Sequence, residues 1–169
     1  MGRRLVIFGA GGFGREVLQL VRDINEVSSR WKCEGFLVDS GYAISGGTVQ
    51  GLPILGDLGW LVKNPDVHWV IAVGSPSARR GIALRARQVC KNAFATLIHP
   101  RAWIGKFVEI GDGSIVCAGA MITTDIRIGQ HVQINTGATI GHDAILEDFA
   151  TIYSCVNVTG SVRIGEGAE

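Results

Sequence analysis

The sequence predicts two domains, a small α/β domain over residues 1–95 and a parallel β-helix over residues 96–169. Two observations carry this reading. Aliphatic residues recur at every sixth position from Ile98 to Ile164, and the chain opens with a strand-like run leading straight into glycines, RLVIFGAGGFG. With 47% hydrophobic residues in 169, the chain can bury a core in each part.

The six-residue series passes through Ile104, Val116, Ile128, Ile140 and Ile152 without slipping, and four places after each member stands a small or aliphatic residue such as Ala120, Val132, Ala138 or Ala150. A period of six fits neither an amphipathic helix nor an alternating strand. It fits a triangular coil in which each hexad gives one short strand and one corner, with the aliphatic residue pointing inward and the small residue packed where the walls converge. Three hexads close a coil of 18 residues, so each residue stacks about 4.8 Å from the one 18 places earlier. Twelve hexads make four coils from Ile98 to Glu169. Gly105, Gly111, Gly129, Gly141 and Gly165 follow the aliphatic residue directly and are expected to ease the turn. A β-sandwich, the alternative, calls for looser spacing and hairpin signals.

In the first domain, residues 4–8 read as a buried strand, GAGGFG as a glycine turn and REVLQLVRDI as an amphipathic helix. Strands are then expected at CEGFLV, GLPILGD, HWVIAVGS and FATLIHP, with helices at DLGWLVKN and SARRGIALRARQVC. Gly9, Gly11 and Gly14 satisfy GxGxxG, and with Gly12 they let a phosphate approach the helix N-terminus. Asp39, at the end of the second strand, is placed for a polar contact to a ribose or base. Gly74 ends a later strand, and Arg79 and Arg80 after it could meet phosphate or merely begin an exposed helix. One mononucleotide-binding half makes this a half-Rossmann domain with room for one nucleoside diphosphate. The alternatives are an NAD site and a glycine turn that only packs helix on strand.

Composition removes several classes. Charged residues make up 18% and the net charge is +1, which offers no field for nucleic acid or an anionic membrane. Cys33, Cys90, Cys117 and Cys155 are scattered without a CxxC pair, arguing against zinc and for reduced thiols, and no metal is expected. The N-terminal apolar run is too short and glycine-rich for a signal peptide or membrane span, so a cytoplasmic location is expected.

With a GxGxxG domain joined to hexads through LIHPRA and the string INTGATIGHDAIL in the third coil, the chain resembles the bacterial family of sialic-acid O-acetyltransferases and nucleotide-aminosugar N-acetyltransferases. The resemblance implies a left-handed β-helix, where the general crossover rule alone suggests a right-handed one. It implies an acetyltransferase for surface glycan synthesis that moves acetyl from acetyl-CoA to an amino or hydroxyl group of a nucleotide-linked sugar. On that resemblance the sugar nucleotide is expected on the N-terminal domain, and acetyl-CoA between subunits of a homotrimer. At the matching positions the resemblance implies His142 as the general base, Asp143 as the carboxylate that biases its orientation or charge, and Asn135 and Thr136 as acetyl-CoA contacts. Coil spacing adds Gly160, 18 places after His142, which is expected to leave room for the thioester and to offer its amide to the acetyl carbonyl. His68, His99 and His131 take no chemical role. Thr151 stands where many relatives have a second histidine, and relatives run on for roughly two more coils. The β-helix is therefore expected to be truncated at the C-terminus, and the alternative function is an inactive nucleotide-sugar-binding scaffold with an incomplete acyl-CoA groove.

Overall fold

A computed structural model describes residues 2–42 and 47–169. The chain divides into two compact units, Met1–Ala95 and Thr96–Glu169.

In the first unit, β1 (Arg3–Phe8) is the central strand, with Leu5, Val6 and Ile7 fully buried. The chain turns into α1 (Gly12–Val27), whose Gly14, Val17, Leu18, Val21 and Ile24 form one buried stripe at helical spacing. It returns as β2 (Trp31–Leu37), parallel to β1. A short antiparallel pair, β3 (Thr48–Val49) and β4 (Leu52–Gly56), extends the sheet beyond β2. After the short helix α2 (Leu58–Val62), β5 (His68–Ile71) pairs with the other side of β1 and leads into α3 (Pro76–Val89). The strand order is β3-β4-β2-β1-β5, so the sequence order reverses across β1 and opens a crevice at the carboxyl ends of β1 and β5. Arg4 bonds Glu34 on β2 at 2.8 Å and Asp66 ahead of β5 at 2.9 Å. Its guanidinium holds both carboxyls below their ordinary range. That stabilisation is present above the ordinary carboxyl pKa and is lost as pH falls through the lowered values.

The strand expected at FATLIHP does not belong to this sheet as a unit. Phe94 makes only an isolated bridge to Trp69, its ring tilted against the indole with centroids 4.6 Å apart, and Leu97–Ile98 open the coil instead. The pair β3–β4 carries no expected counterpart for β3, because two residues are too few to show a period.

The second unit is a left-handed parallel β-helix of three walls. One wall stacks β6 (Leu97–Ile98), β9 (Ile115–Val116), β12 (Gln133–Ile134) and β15 (Thr151–Ile152). A second stacks β7 (Trp103–Ile104), β10 (Met121–Ile122), β13 (Thr139–Ile140) and β16 (Asn157–Val158). The third stacks β8 (Val108–Ile110), β11 (Ile126–Ile128), β14 (Ile145–Leu146) and β17 (Arg163–Ile164). Register partners such as Ile122 and Ile140, or Ile134 and Ile152, lie 18 residues apart. The hexad aliphatics and the small residues four places on fill the interior, with Ala120, Ile122, Ile134, Ala138, Ile140 and Ala144 at 0% exposure.

The corners correct the role expected of the glycines. Left-handed backbone falls at every sixth residue from Phe107 to Gly167, three places after the inward aliphatic, and seven of these eleven positions are not glycine. Gly105, Gly111, Gly129, Gly141 and Gly165 are not among them. Four of the five are glycine for space: an added Cβ at Gly141 would lie 2.5 Å from the Gly160 amide nitrogen, at Gly111 2.6 Å from the Gly129 carbonyl, and Gly105 and Gly129 are equally closed by the next coil. Gly165 alone meets nothing closer than 3.9 Å.

This separates two kinds of position. Gly141→Ala is expected to cost about 1–3 kcal/mol through overpacking against backbone that cannot yield, lowering the melting temperature by several degrees. Phe107→Gly, at an exposed left-handed corner with φ +60°, trades strain for chain entropy and should leave it within about 2 °C. Equal melting temperatures for wild type and Gly141→Ala would contradict the close-stacking account.

Candidate functional site

The second unit's candidate site is a corner between β13 and β14. Neighbouring residues on a strand face opposite ways. Asp143 escapes that rule because it takes the left-handed conformation, φ +59°, which Asp tolerates better than most residues. The turn brings its carboxylate round to His142, and Asp143 Oδ2 lies 2.8 Å from His142 Nδ1. Both side chains are exposed, at 64% and 62%. The corner is anchored above and below: the Asp143 amide donates to the Thr124 carbonyl at 3.2 Å, and the Ser161 amide donates to the His142 carbonyl at 2.7 Å. One coil earlier, Thr124 Oγ1 donates to Asp125 Oδ2 at 2.8 Å, so the same corner geometry recurs with a hydroxyl in place of the imidazole.

Gly160 stacks against His142 as the 18-residue spacing requires, but the reason for the glycine differs from the expectation. A Cβ there would lie 2.6 Å from both Cε1 and Nε2 of His142. The imidazole itself lies across the glycine, so a larger side chain would displace the ring before it obstructed any bound thioester.

Asn135 and Thr136 stand at the preceding corner, between β12 and β13, so within one chain they occupy the opposite edge of the β7–β10–β13–β16 wall from His142. Asn135 Oδ1 is buried without a hydrogen-bond partner among the described residues, and Thr136 is exposed. Between these edges the wall exposes Trp103 at 55% and Met121 at 49%. Thr151 is buried on a different wall from His142. His131 is buried and stacked on Phe149 at 5.0 Å, and buried His99 accepts from the Arg101 amide at 2.9 Å. All four cysteines are free thiols, and burial pushes the Cys33 thiol up to about 11.

The first unit holds a cavity of about 530 Å³ at the carboxyl ends of β1 and β5, lined by Gly9, Gly11, Val38, Asp39, Val73 and Ile82 among others. The expected residues around it divide by what holds them. Gly9 has φ +111° and its added Cβ would meet the Ala72 carbonyl at 2.5 Å. Gly14 packs α1 onto the Gly9 carbonyl so tightly that any Cβ would collide with it. Gly11 and Gly74 meet nothing within 4 Å, and Gly12 only the tip of Arg15 at 4.0 Å, so internal packing does not demand glycine at these three. The α1 N-terminus carries no side-chain cap, so no side chain takes up its first-turn N–H groups.

Arg79 is corrected. It is fully buried, and its Nη1 donates to the carbonyls of Val73 at 2.9 Å and Gly74 at 2.8 Å. Its guanidinium orders the loop after β5 and is not exposed to a phosphate in the cavity. A basic residue in the first turn of a helix reads as an anion contact only when its side chain is free, and the sequence does not reveal that the preceding loop turns its carbonyls inward.

Among the described residues, no group of three or more His, Cys, Asp or Glu is arranged to hold a metal, and no helix is long and apolar enough to cross a membrane.

A glycine-turn α/β domain followed by hexapeptide coils bearing an exposed His–Asp corner defines a two-domain hexapeptide-repeat protein. Residues 4–86 match the PglD N-terminal domain. UDP-N-acetylbacillosamine N-acetyltransferase of Bacillus subtilis (strain 168) is 36% identical over 119 residues, 69% of this chain and 52% of the relative, so the chain spans about half the length of that curated relative. Among solved structures, a histidine-to-asparagine mutant of perosamine N-acetyltransferase from Caulobacter crescentus in complex with CoA and GDP-perosamine has a TM-score of 0.84 at 27% identity, covering 98% of this chain and 75% of that one. The acetyltransferase domain of PglB from Neisseria gonorrhoeae FA1090 in complex with acetyl coenzyme A has a TM-score of 0.82 at 29% identity, covering 98% and 77%. Over both of its units the chain is thus similar to nucleotide-aminosugar N-acetyltransferases.

The two kinds of glycine in the first turn are separable. Gly14→Ala should lower the melting temperature by several degrees, because the helix must lift off β1, whereas Gly12→Ala should leave it unchanged or raise it by the helix propensity of Ala, up to about 1 kcal/mol. Equal destabilisation by the two would mean that packing fixes both positions.

Proposed function

We propose that the protein transfers acetyl from acetyl-CoA to an amino group of a nucleotide-linked sugar destined for a surface glycan. The observation that carries this reading is the corner of His142, Asp143 and Gly160. Asp143 accepts a hydrogen bond from Nδ1–H and so assigns the tautomer, leaving Nε2 with its lone pair as the base. As the sugar nitrogen attacks the thioester carbonyl, Nε2 takes the proton the nitrogen sheds and later returns it to the departing CoA thiolate. The carboxylate stabilises the imidazolium between those events. Acetyl-CoA supplies the activated acetyl group. Gly160 holds the ring in place and offers its amide to the acetyl carbonyl. A sugar hydroxyl would be served by the same base. The amine is favoured here because the perosamine and bacillosamine relatives carry N-acetyltransferase names.

On the first unit, the cavity takes the nucleotide. The diphosphate lies over Gly11, Gly12 and Gly74 at the α1 N-terminus, Gly9 and Gly14 hold the turn, and Asp39 stands on the rim. The bound GDP-perosamine of the Caulobacter relative supports a nucleoside diphosphate sugar over NAD.

A homotrimer accounts for the separation of His142 from Asn135 and Thr136. Placed at opposite edges of one wall, these groups meet when the wall of one copy faces another, and the acyl donor then lies between them. Covering Trp103 and Met121 supplies apolar burial for that contact. The reaction belongs in the cytoplasm, where acetyl-CoA is available and four free thiols persist. No feature of the corner favours an inactive scaffold.

His142→Ala should lower the rate of sugar acetylation by about a hundredfold or more, while the affinity for the nucleotide sugar changes little. An undiminished rate across pH 6–8 would remove His142 as the base. Sedimentation should give three times the 18.0 kDa chain mass, and a monomer at high concentration would contradict the shared groove.

A further inference from the structure

Arg85 lies outside every residue set considered so far. It follows Ala78 and Ile82 at helical spacing on α3, and those two residues line the cavity of the first unit. From that face its Nη2 reaches Asp39 Oδ2 at 2.9 Å, joining α3 to the residue two places beyond the end of β2. The pairing raises the guanidinium pKa further above its ordinary value. The two side chains are 52% and 37% exposed, and a surface ion pair of this kind contributes roughly 0–1 kcal/mol to folding. Stability therefore gives little reason for a long side chain to be held across the rim of a binding cavity.

We infer that Arg85 is a positioning residue for nucleotide recognition: it occupies Oδ2 of Asp39 and so presents Oδ1 to a ribose hydroxyl of the bound nucleotide. The inference rests on the nucleotide-sugar reading of the cavity. An acidic residue after the second strand of a mononucleotide-binding unit can accept from a ribose hydroxyl, and it does so with less entropic cost when its rotamer is already fixed. Arg is suited to this task because its planar guanidinium stays charged and directional, whereas a Lys ammonium holds the carboxylate as a point charge. Asp39 would otherwise be free to rotate into solvent, as befits its exposed place on the rim.

The test uses the whole chain and measures calorimetric affinity for UDP, GDP and dTDP sugars, for their 2′-deoxy or 3′-deoxy counterparts, and the KM for acetyl-CoA. Arg85→Ala is expected to weaken the preferred nucleotide sugar by about tenfold, the scale of a lost charge-assisted hydrogen bond, with the acetyl-CoA KM and the melting temperature essentially unchanged. Arg85→Lys should recover part of the loss. The effects of Arg85→Ala and Asp39→Asn should not add, and both variants should discriminate less against the deoxy ligand. Wild-type affinity in Arg85→Ala, or additive effects with Asp39→Asn, overturns the role of Arg85 and leaves the nucleotide reading intact. Failure of the wild-type chain to bind any UDP, GDP or dTDP ligand overturns both.

Discussion

The return of the backbone onto itself every 18 residues is the constraint from which the rest of the β-helix follows. At four corners the stacked coil passes too close for a Cβ, and there the chain has Gly105, Gly111, Gly129 and Gly141. The same rule sets the chemistry. Gly160 exists as a glycine because the His142 ring rests on it, and His142 is fixed in height because Ser161 and Asp143 tie its corner to the coils on either side.

Corner conformation is the second half of that constraint. Each left-handed non-glycine residue costs roughly 1–2 kcal/mol, which the continuous interior of Ile, Val and Ala must offset. Where the corner residue is Asp, the cost is smaller and the conformation itself aims a carboxylate at the preceding side chain. Asp125 meets Thr124 in this way and Asp143 meets His142. A histidine in the place before a corner aspartate thus meets a carboxylate without any extra loop. In the first unit a comparable economy operates at the crevice beside β1, where Gly14 sets helix against strand and buried Arg79 spends its guanidinium on the loop that rims the cavity.

The hexad register was legible because its period is shared by no other secondary structure, and from it followed the three walls, the inward residues and the stacking of Gly160 on His142. The identity of the left-handed residue was not legible. Gly105 or Gly141 looks like a turn residue in the sequence, while Phe107 and Phe149 do not, since aromatic side chains ordinarily avoid positive φ and nothing local reveals that they adopt it. The His142–Asp143 pair could be suspected from the motif, but its contact depends on a corner torsion. Arg79 and Arg85 were harder still. Both are basic residues on α3, and only the packing of that helix shows one buried on loop carbonyls and the other reaching Asp39.

The central claim is that His142 presents Nε2 as an unprotonated base because Asp143 holds the proton on Nδ1. Nitrogen-15 NMR of the imidazole in the whole chain, at a pH above the histidine titration, reads that tautomer directly. A protonated Nδ1 with a lone-pair Nε2, changing to a mixture of tautomers in Asp143→Ala, is the predicted result. A proton resident on Nε2 in the wild type would contradict it, because the ring would then have no base to offer an incoming amine.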